Sequence, residues 1–181
     1  MKKTITLMNA PVQMSPGNYV RVAYADVTAP AVATLDVETI RSGDSVEIHM
    51  RWHCDNPVSS IAGKTDAFPD AAAILVPGAD NAQWITMGSA EAPVEGALWR
   101  ADKNALTNIS ATGLGSVVRH TAPSGWRIKA DHSNGVYTLQ WLFPKWDNLV
   151  RFGKCGFAVW TGAQHQRGGL KSVSSDWIAL S

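Results

Sequence analysis

Lys171, Met87, five histidines, two cysteines and a scatter of acids are the groups in this chain whose chemistry could serve a function. Few stand at a spacing that lets them act together. His49 and His53 are four apart in an alternating segment, so they point the same way but sit about 13 Å apart at roughly 3.3 Å per residue. That is too far to share one metal ion, and Cys54 points to the opposite face, so they read as half-exposed strand positions rather than a zinc site. Asp66 and Asp70 are close in sequence, yet Phe68 and Pro69 between them suggest a turn, not a paired-carboxylate centre. There is no Gly-x-Ser-x-Gly elbow, phosphate-binding loop or dinucleotide fingerprint, so the chain offers no self-contained active site. Met87 alternates with Ile85 on one strand face and precedes Gly88, which allows close approach of another group. Lys171 stands in a loop rich in Gly and Gln. Taken singly, the methionine is a core filler and the lysine a solvated loop side chain.

The elements that must position these groups are strands. Ala33, Leu35 and Val37 share one face of a first strand. Val46, Ile48, Met50 and Trp52 share a face of the next, with Glu47, His49, Arg51 and His53 opposite. Tyr137, Leu139, Trp141 and Phe143 line one side of a later strand after an Asn134-Gly135 turn. Residues 71–76 form a short apolar run ending at Pro77-Gly78, the pattern of a strand buried on both faces. Strand-like runs at 157–160 and 176–180 flank the Lys171 loop, and only residues 101–109 look helical. Many short strands between Gly and Pro turns predict a mainly β, antiparallel β-sandwich with one or two short helices. With no repeat or linker in sight, residues 1–181 read as a single domain, its first 27 residues an N-terminal extension or first strands.

Composition limits the function classes. Sixteen basic and 15 acidic side chains leave a formal charge of +1, and no run of like charge predicts a grip on nucleic acid or an anionic membrane. No window approaches the roughly 18 apolar residues of a membrane span. The opening residues hold no apolar stretch long enough for a secretory leader, which points to the cytoplasm, or to the periplasm if the chain is co-exported or already processed. Cys54 and Cys155 have no redox or zinc spacing and read as two buried thiols, with a cross-strand bridge left open for an oxidising compartment. Eight tryptophans are many for 181 residues. They fill a core or line a ligand surface, and Trp84, Trp99, Trp126 and Trp146 would supply stacking faces for a carbohydrate-type binding module, the alternative reading.

The order of motifs from Thr28 to Leu180 adds a second argument. It runs through Ala-Pro-Ala-Val-Ala-Thr at 29–34, Met-Arg-Trp-His-Cys-Asp at 50–55 and the aspartate-led apolar segment at 68–77. Met87-Gly88, Pro93, Trp-Arg-Ala-Asp at 99–102, Gly-Leu-Gly at 113–115 and Gly-Val-Tyr-Thr-Leu at 135–139 follow, then Pro144. Phe-Ala-Val-Trp-Thr-Gly at 157–162 and Arg-Gly-Gly-Leu-Lys-Ser-Val-Ser at 167–174 close it and are the most specific. This order resembles the heme b-binding gamma subunits of ethylbenzene dehydrogenase and its relatives among the dimethylsulfide dehydrogenases and the selenate and chlorate reductases. The resemblance departs from the family at Trp52-His53-Cys54, where members tend to place a plain polar turn.

The resemblance implies a β-sandwich holding heme b at one end or edge, with Met87 and Lys171 as iron ligands; beside them, Arg167 is a candidate to meet a heme propionate. It implies an electron-transfer subunit, not an enzyme by itself. Its partners would be an iron–sulfur beta subunit, a molybdopterin-containing alpha subunit and an external electron carrier.

Overall fold

The computed structural model describes residues 1–14 and 18–181. In chain order these form β1 (Lys2–Asn9), α1 (Asn18–Ala23), β2 (Thr34–Ser42), β3 (Ser45–His53), β4 (Ala71–Pro77), β5 (Val94–Arg100) and β6 (Ala105–Ala111). They continue with β7 (Val118–Thr121), β8 (Arg127–Ser133), β9 (Val136–Pro144), α2 (Asp147–Phe152), β10 (Lys154–Trp160), β11 (Ser172–Ser174) and β12 (Ile178–Ala179). One antiparallel ladder runs β7-β6-β5-β4-β10-β11-β1-β2-β3-β9-β8, with β12 added beside β10. The mainly β, antiparallel sandwich expected from the alternation is the fold observed.

β1 makes the sandwich from one sheet. Residues 2–6 pair with β2, whereas Leu7, Met8 and Asn9 face Ser174, Val173 and Ser172 of β11. The strand therefore leaves one layer and enters the other, and the ladder curls so that β8-β9-β3-β2 face β7-β6-β5-β4-β10-β11. Between them lies a core that includes Leu35, Ile48, Trp141 and Phe143 from the first layer and Ile74, Trp99 and Phe157 from the second. β3 and β9 alternate because only one of their faces meets this core; the other carries Glu47, His49 and Gln140 toward water. α2 closes part of the core with Leu149 and stops at Gly153, whose φ of 57° and N–H to the Leu149 carbonyl make a left-handed cap.

β4 is apolar throughout because both its faces are covered. Ala72, Ile74 and Val76 point into the inter-layer core, while Ala71, Ala73 and Leu75 point to a second apolar cluster on the outer face of this layer. Ala158 and Val173 belong to that cluster, as do Leu98, Ile109 and Trp84. This outer cluster carries the candidate site.

Several expectations need correction. Residues 101–109 are not a helix: 101–104 form the turn of a hairpin, with Asn104 at φ 44°, and β6 follows. The Trp99 indole N–H donates to the Asn104 side chain at 3.1 Å, and pairing along all of β5 overrides the weak helical propensity. In the closing segment only Ile178–Ala179 pairs as a strand, with Lys154 and Cys155, while Ser172–Ser174 pairs where a loop was expected. β2 begins at Thr34, and Ala33 is exposed instead of sharing the buried face of Leu35 and Val37. Cys54 and Cys155 are both free and buried.

Candidate functional site

Alternate side chains of β4, β5, β6, β10 and β11 form the floor of a cavity of about 560 Å³ on the outer face of the second layer, running out to its edge at β7. The register puts Ala73 between Leu98 and Ala158, and Val173 beside Ala158. Short side chains leave room above the sheet, and the size falls in the range of small-molecule and cofactor pockets. Met87, Arg167 and Lys171, distant in sequence, all line this one cavity.

Met87 does not lie on a strand with Ile85, as the alternation suggested. Its amide donates to the Trp84 carbonyl at 3.0 Å, closing a turn in which Met87 itself has φ 58°. The Met87 carbonyl accepts from the Gly113 amide at 3.0 Å, tying the turn to the end of β6. Gly88 follows at φ 78°, where an added Cβ would meet the Ala92 carbonyl oxygen at 2.5 Å. Only glycine suits that close approach.

Lys171 immediately precedes β11 and its carbonyl accepts from the Ala10 amide at 2.9 Å. The register places it in the row of Trp160, Ala71 and Arg100, at the opposite end of the strands from the Met87 turn. Its ammonium nitrogen sits 5.0 Å from the centre of the Trp160 ring. Among the described residues it makes no ion pair or hydrogen bond. Burial lowers its pKa from 10.5 to about 8, with no acidic neighbour to offset the cost of desolvating the charge. A weakly held proton on an amine facing an apolar cavity eases binding to a metal, which needs the free amine.

Arg167 holds the loop before Lys171. Its Nη1 donates to the Tyr24 hydroxyl at 2.6 Å and to the His165 carbonyl at 3.1 Å, and its guanidinium lies 4.5 Å from the Phe68 ring centre. Nε and Nη2 make no hydrogen bond among the described residues. Arg100 and Arg119 also line the cavity. Arg100 is held by two bonds to Asp102, at 3.0 and 2.9 Å. The lining holds four cationic side chains and no carboxylate, so an apolar ligand with an acidic edge suits it.

A buried carboxylate braces the wall. Asp70, 1% exposed, accepts from the Val58 amide at 2.6 Å, the Gly162 amide at 2.7 Å and the Tyr137 hydroxyl at 2.9 Å. It joins the start of β4 to the segment leading to Gln166 and Arg167. Burial, followed by the charge of Asp70, raises the Tyr137 pKa and pushes the Cys54 thiol up to about 11. Asp66 is exposed, so the two aspartates form no pair.

The histidines stay where the strand pattern put them. His49 bonds Glu47, and His53 faces solvent against the Gly135 carbonyl. Among the described residues no group of three or more His, Cys, Asp or Glu is placed to hold a metal ion. The stacking surface proposed for Trp84, Trp99, Trp126 and Trp146 does not form: they are 6, 2, 7 and 4% exposed, and of the four Trp84 alone lines the cavity. Trp126 and Trp146 pack with Phe143 in the core. The sequence reading missed Arg100, Arg119 and Trp160 as wall residues. Cross-strand register decides their place, and the signal was the small alternate residues Ala71 and Ala73.

No family model matches the chain. The gamma subunit of dimethylsulfide dehydrogenase from Rhodovulum sulfidophilum is 30% identical over 189 residues, which cover 95% of this chain and 67% of that protein. A Haloferax mediterranei protein provisionally named a respiratory nitrate reductase heme subunit is 31% identical over 156 residues, 81% of this chain and 55% of its own length. Extent and identity together place the chain in the family that its motif order resembles, that of the dimethylsulfide dehydrogenase gamma subunit.

Proposed function

We propose that this chain is a heme b electron-transfer subunit, with residues 1–181 acting as one heme-binding β-sandwich unit and Met87 and Lys171 as the iron ligands. The observation that carries the reading is that these two residues, from distant loops, line one apolar cavity free of carboxylates. The residues fit the group: an unpaired amine of lowered pKa, a thioether on a glycine-braced turn, a floor of small side chains and a cationic rim. Heme supplies one-electron exchange between ferric and ferrous iron. Met87 offers a soft neutral donor, which favours the ferrous state. Lys171 ligates as the free amine, and burial has already lowered the cost of losing its proton. Arg167, whose Nε and Nη2 have no partner among the described residues, would meet an acidic edge of the ligand, and Arg119, on β7, is a second cation of the lining that could do so.

With Met87 and Lys171 both holding the iron, no site would remain there for substrate or oxygen, and the chain would relay electrons without catalysis of its own. The partners proposed are an iron–sulfur subunit and a molybdopterin-containing catalytic subunit on one side and an external electron carrier on the other. The family of the chain favours this, since it includes a relative named as the gamma subunit of a dehydrogenase. Titrating the apo-protein with hemin tests the cofactor, with one equivalent bound and a sharp Soret band expected. Isolation from its native cells tests the relay, since an iron–sulfur protein should co-purify and exchange electrons with the bound heme. A colourless protein that takes up no heme would reject the reading.

A further inference from the structure

Resting on that reading of Met87 and Lys171, we infer that Trp84 is a positioning residue, a strut that sets the span between the two ligand segments. Trp84 opens the turn that Met87 closes. Its indole N–H donates to the backbone carbonyl of Ser174 at 2.7 Å, and Ser174 ends the strand that begins one residue after Lys171. One buried side chain therefore joins the segment of the first ligand to the strand that fixes the second. The two segments enter the cavity from opposite ends of the β4–β5–β10 strands, so no backbone ladder links them directly.

The seat of the strut is specific. The Trp84 ring lies against the bare backbone of Gly156 in β10, where a Cβ would fall 2.3 Å from its Cε3. Trp177 packs on Trp84 with ring centres 5.4 Å apart and donates its own indole N–H to the Ala82 carbonyl at 2.9 Å, bracing the same loop. A core filler needs apolar surface alone. Trp84 has in addition a glycine notch, a short hydrogen bond to the Lys171 strand and a covalent place in the Met87 turn. Two donors that must meet one group tolerate little error in position, of order 0.5 Å. A rigid ring held at both ends is suited to fix that distance.

The test compares Trp84→Phe with Trp99→Phe. Both lose a buried indole hydrogen bond, but Trp99 faces the inter-layer core, where it donates to Asn104. Trp84→Phe is expected to fold, with a far-UV spectrum and apo melting temperature matching those of the control. Its heme-loaded form should lose the six-coordinate low-spin spectrum and bind heme at least about tenfold more weakly, while Trp99→Phe keeps both. A Trp84→Phe protein with the wild-type spectrum and affinity, or equal losses in the control, overturns the strut while leaving the heme reading intact. Wild-type protein that takes up no heme overturns both. Should Trp84→Phe not fold, hydrogen exchange in wild type reads the same device. The Trp84 indole proton should exchange more slowly once heme is added and the Trp99 proton should not, and equal rates before and after overturn it.

Discussion

Replacing Lys171 by methionine is expected to stabilise the cofactor-free protein. The substitution keeps an unbranched side chain of similar length and deletes a charge that burial penalises. The fall in pKa from 10.5 to about 8 measures that penalty. At about 1.36 kcal/mol per pH unit it comes to at most about 3.4 kcal/mol, and the partial exposure of the side chain reduces it to about 1–2 kcal/mol. The sign follows from linkage. The folded chain holds this proton less tightly than the unfolded chain, so the penalty is full below about pH 8 and fades as pH rises toward 10.5. Urea unfolding of apo-protein, followed by tryptophan fluorescence, should show the variant more stable at pH 6.5 and the difference narrowing at pH 9.5. A variant less stable than wild type at pH 6.5, or a difference independent of pH, would refute the view that Lys171 is held neutral-prone and unpaired.

Three further outcomes are expected. Asp70→Asn leaves two amides and the Tyr137 hydroxyl without their charged acceptor and should cost about 2–4 kcal/mol in thermal or urea unfolding. Cys54, raised to about 11, and Cys155, raised by burial, should both resist a thiol reagent at pH 8 and react on unfolding; rapid labelling of the native protein contradicts their placement. Arg119→Gln should bring the affinities for protoporphyrin and its dimethyl ester closer together, and an unaltered preference for the free acid removes Arg119 from the acidic edge.

The sandwich was legible where one strand face meets the core and the other meets water, as in β3 and β9. It was legible in β4 for the opposite reason, since cover on both faces makes a continuous apolar run. The segment 101–109 was misread because its Ala, Leu and Lys content suits a short helix, and the Trp99–Asn104 contact and the β5 partner make it a hairpin. Met87 was assigned to a strand because Trp84-Ile-Thr-Met alternates, yet its positive φ and Gly88 turn the chain there. The pairing of Met87 with Lys171 came through motif order alone, since nothing local links two loops joined across a sheet. Arg100 and Arg119 stayed hidden because their position at the rim depends on register between β4, β5, β6 and β7.

The central claim is tested most directly by absorption and electron paramagnetic resonance spectra of heme-loaded wild type, Met87→Ala and Lys171→Ala. The account predicts a six-coordinate low-spin heme in wild type. Each single variant should lose that state, and the reduction potential should fall when the Met87 thioether is removed. A six-coordinate spectrum unchanged in both variants would contradict the assignment of the ligands, and a wild-type protein without a Soret band would contradict the heme itself.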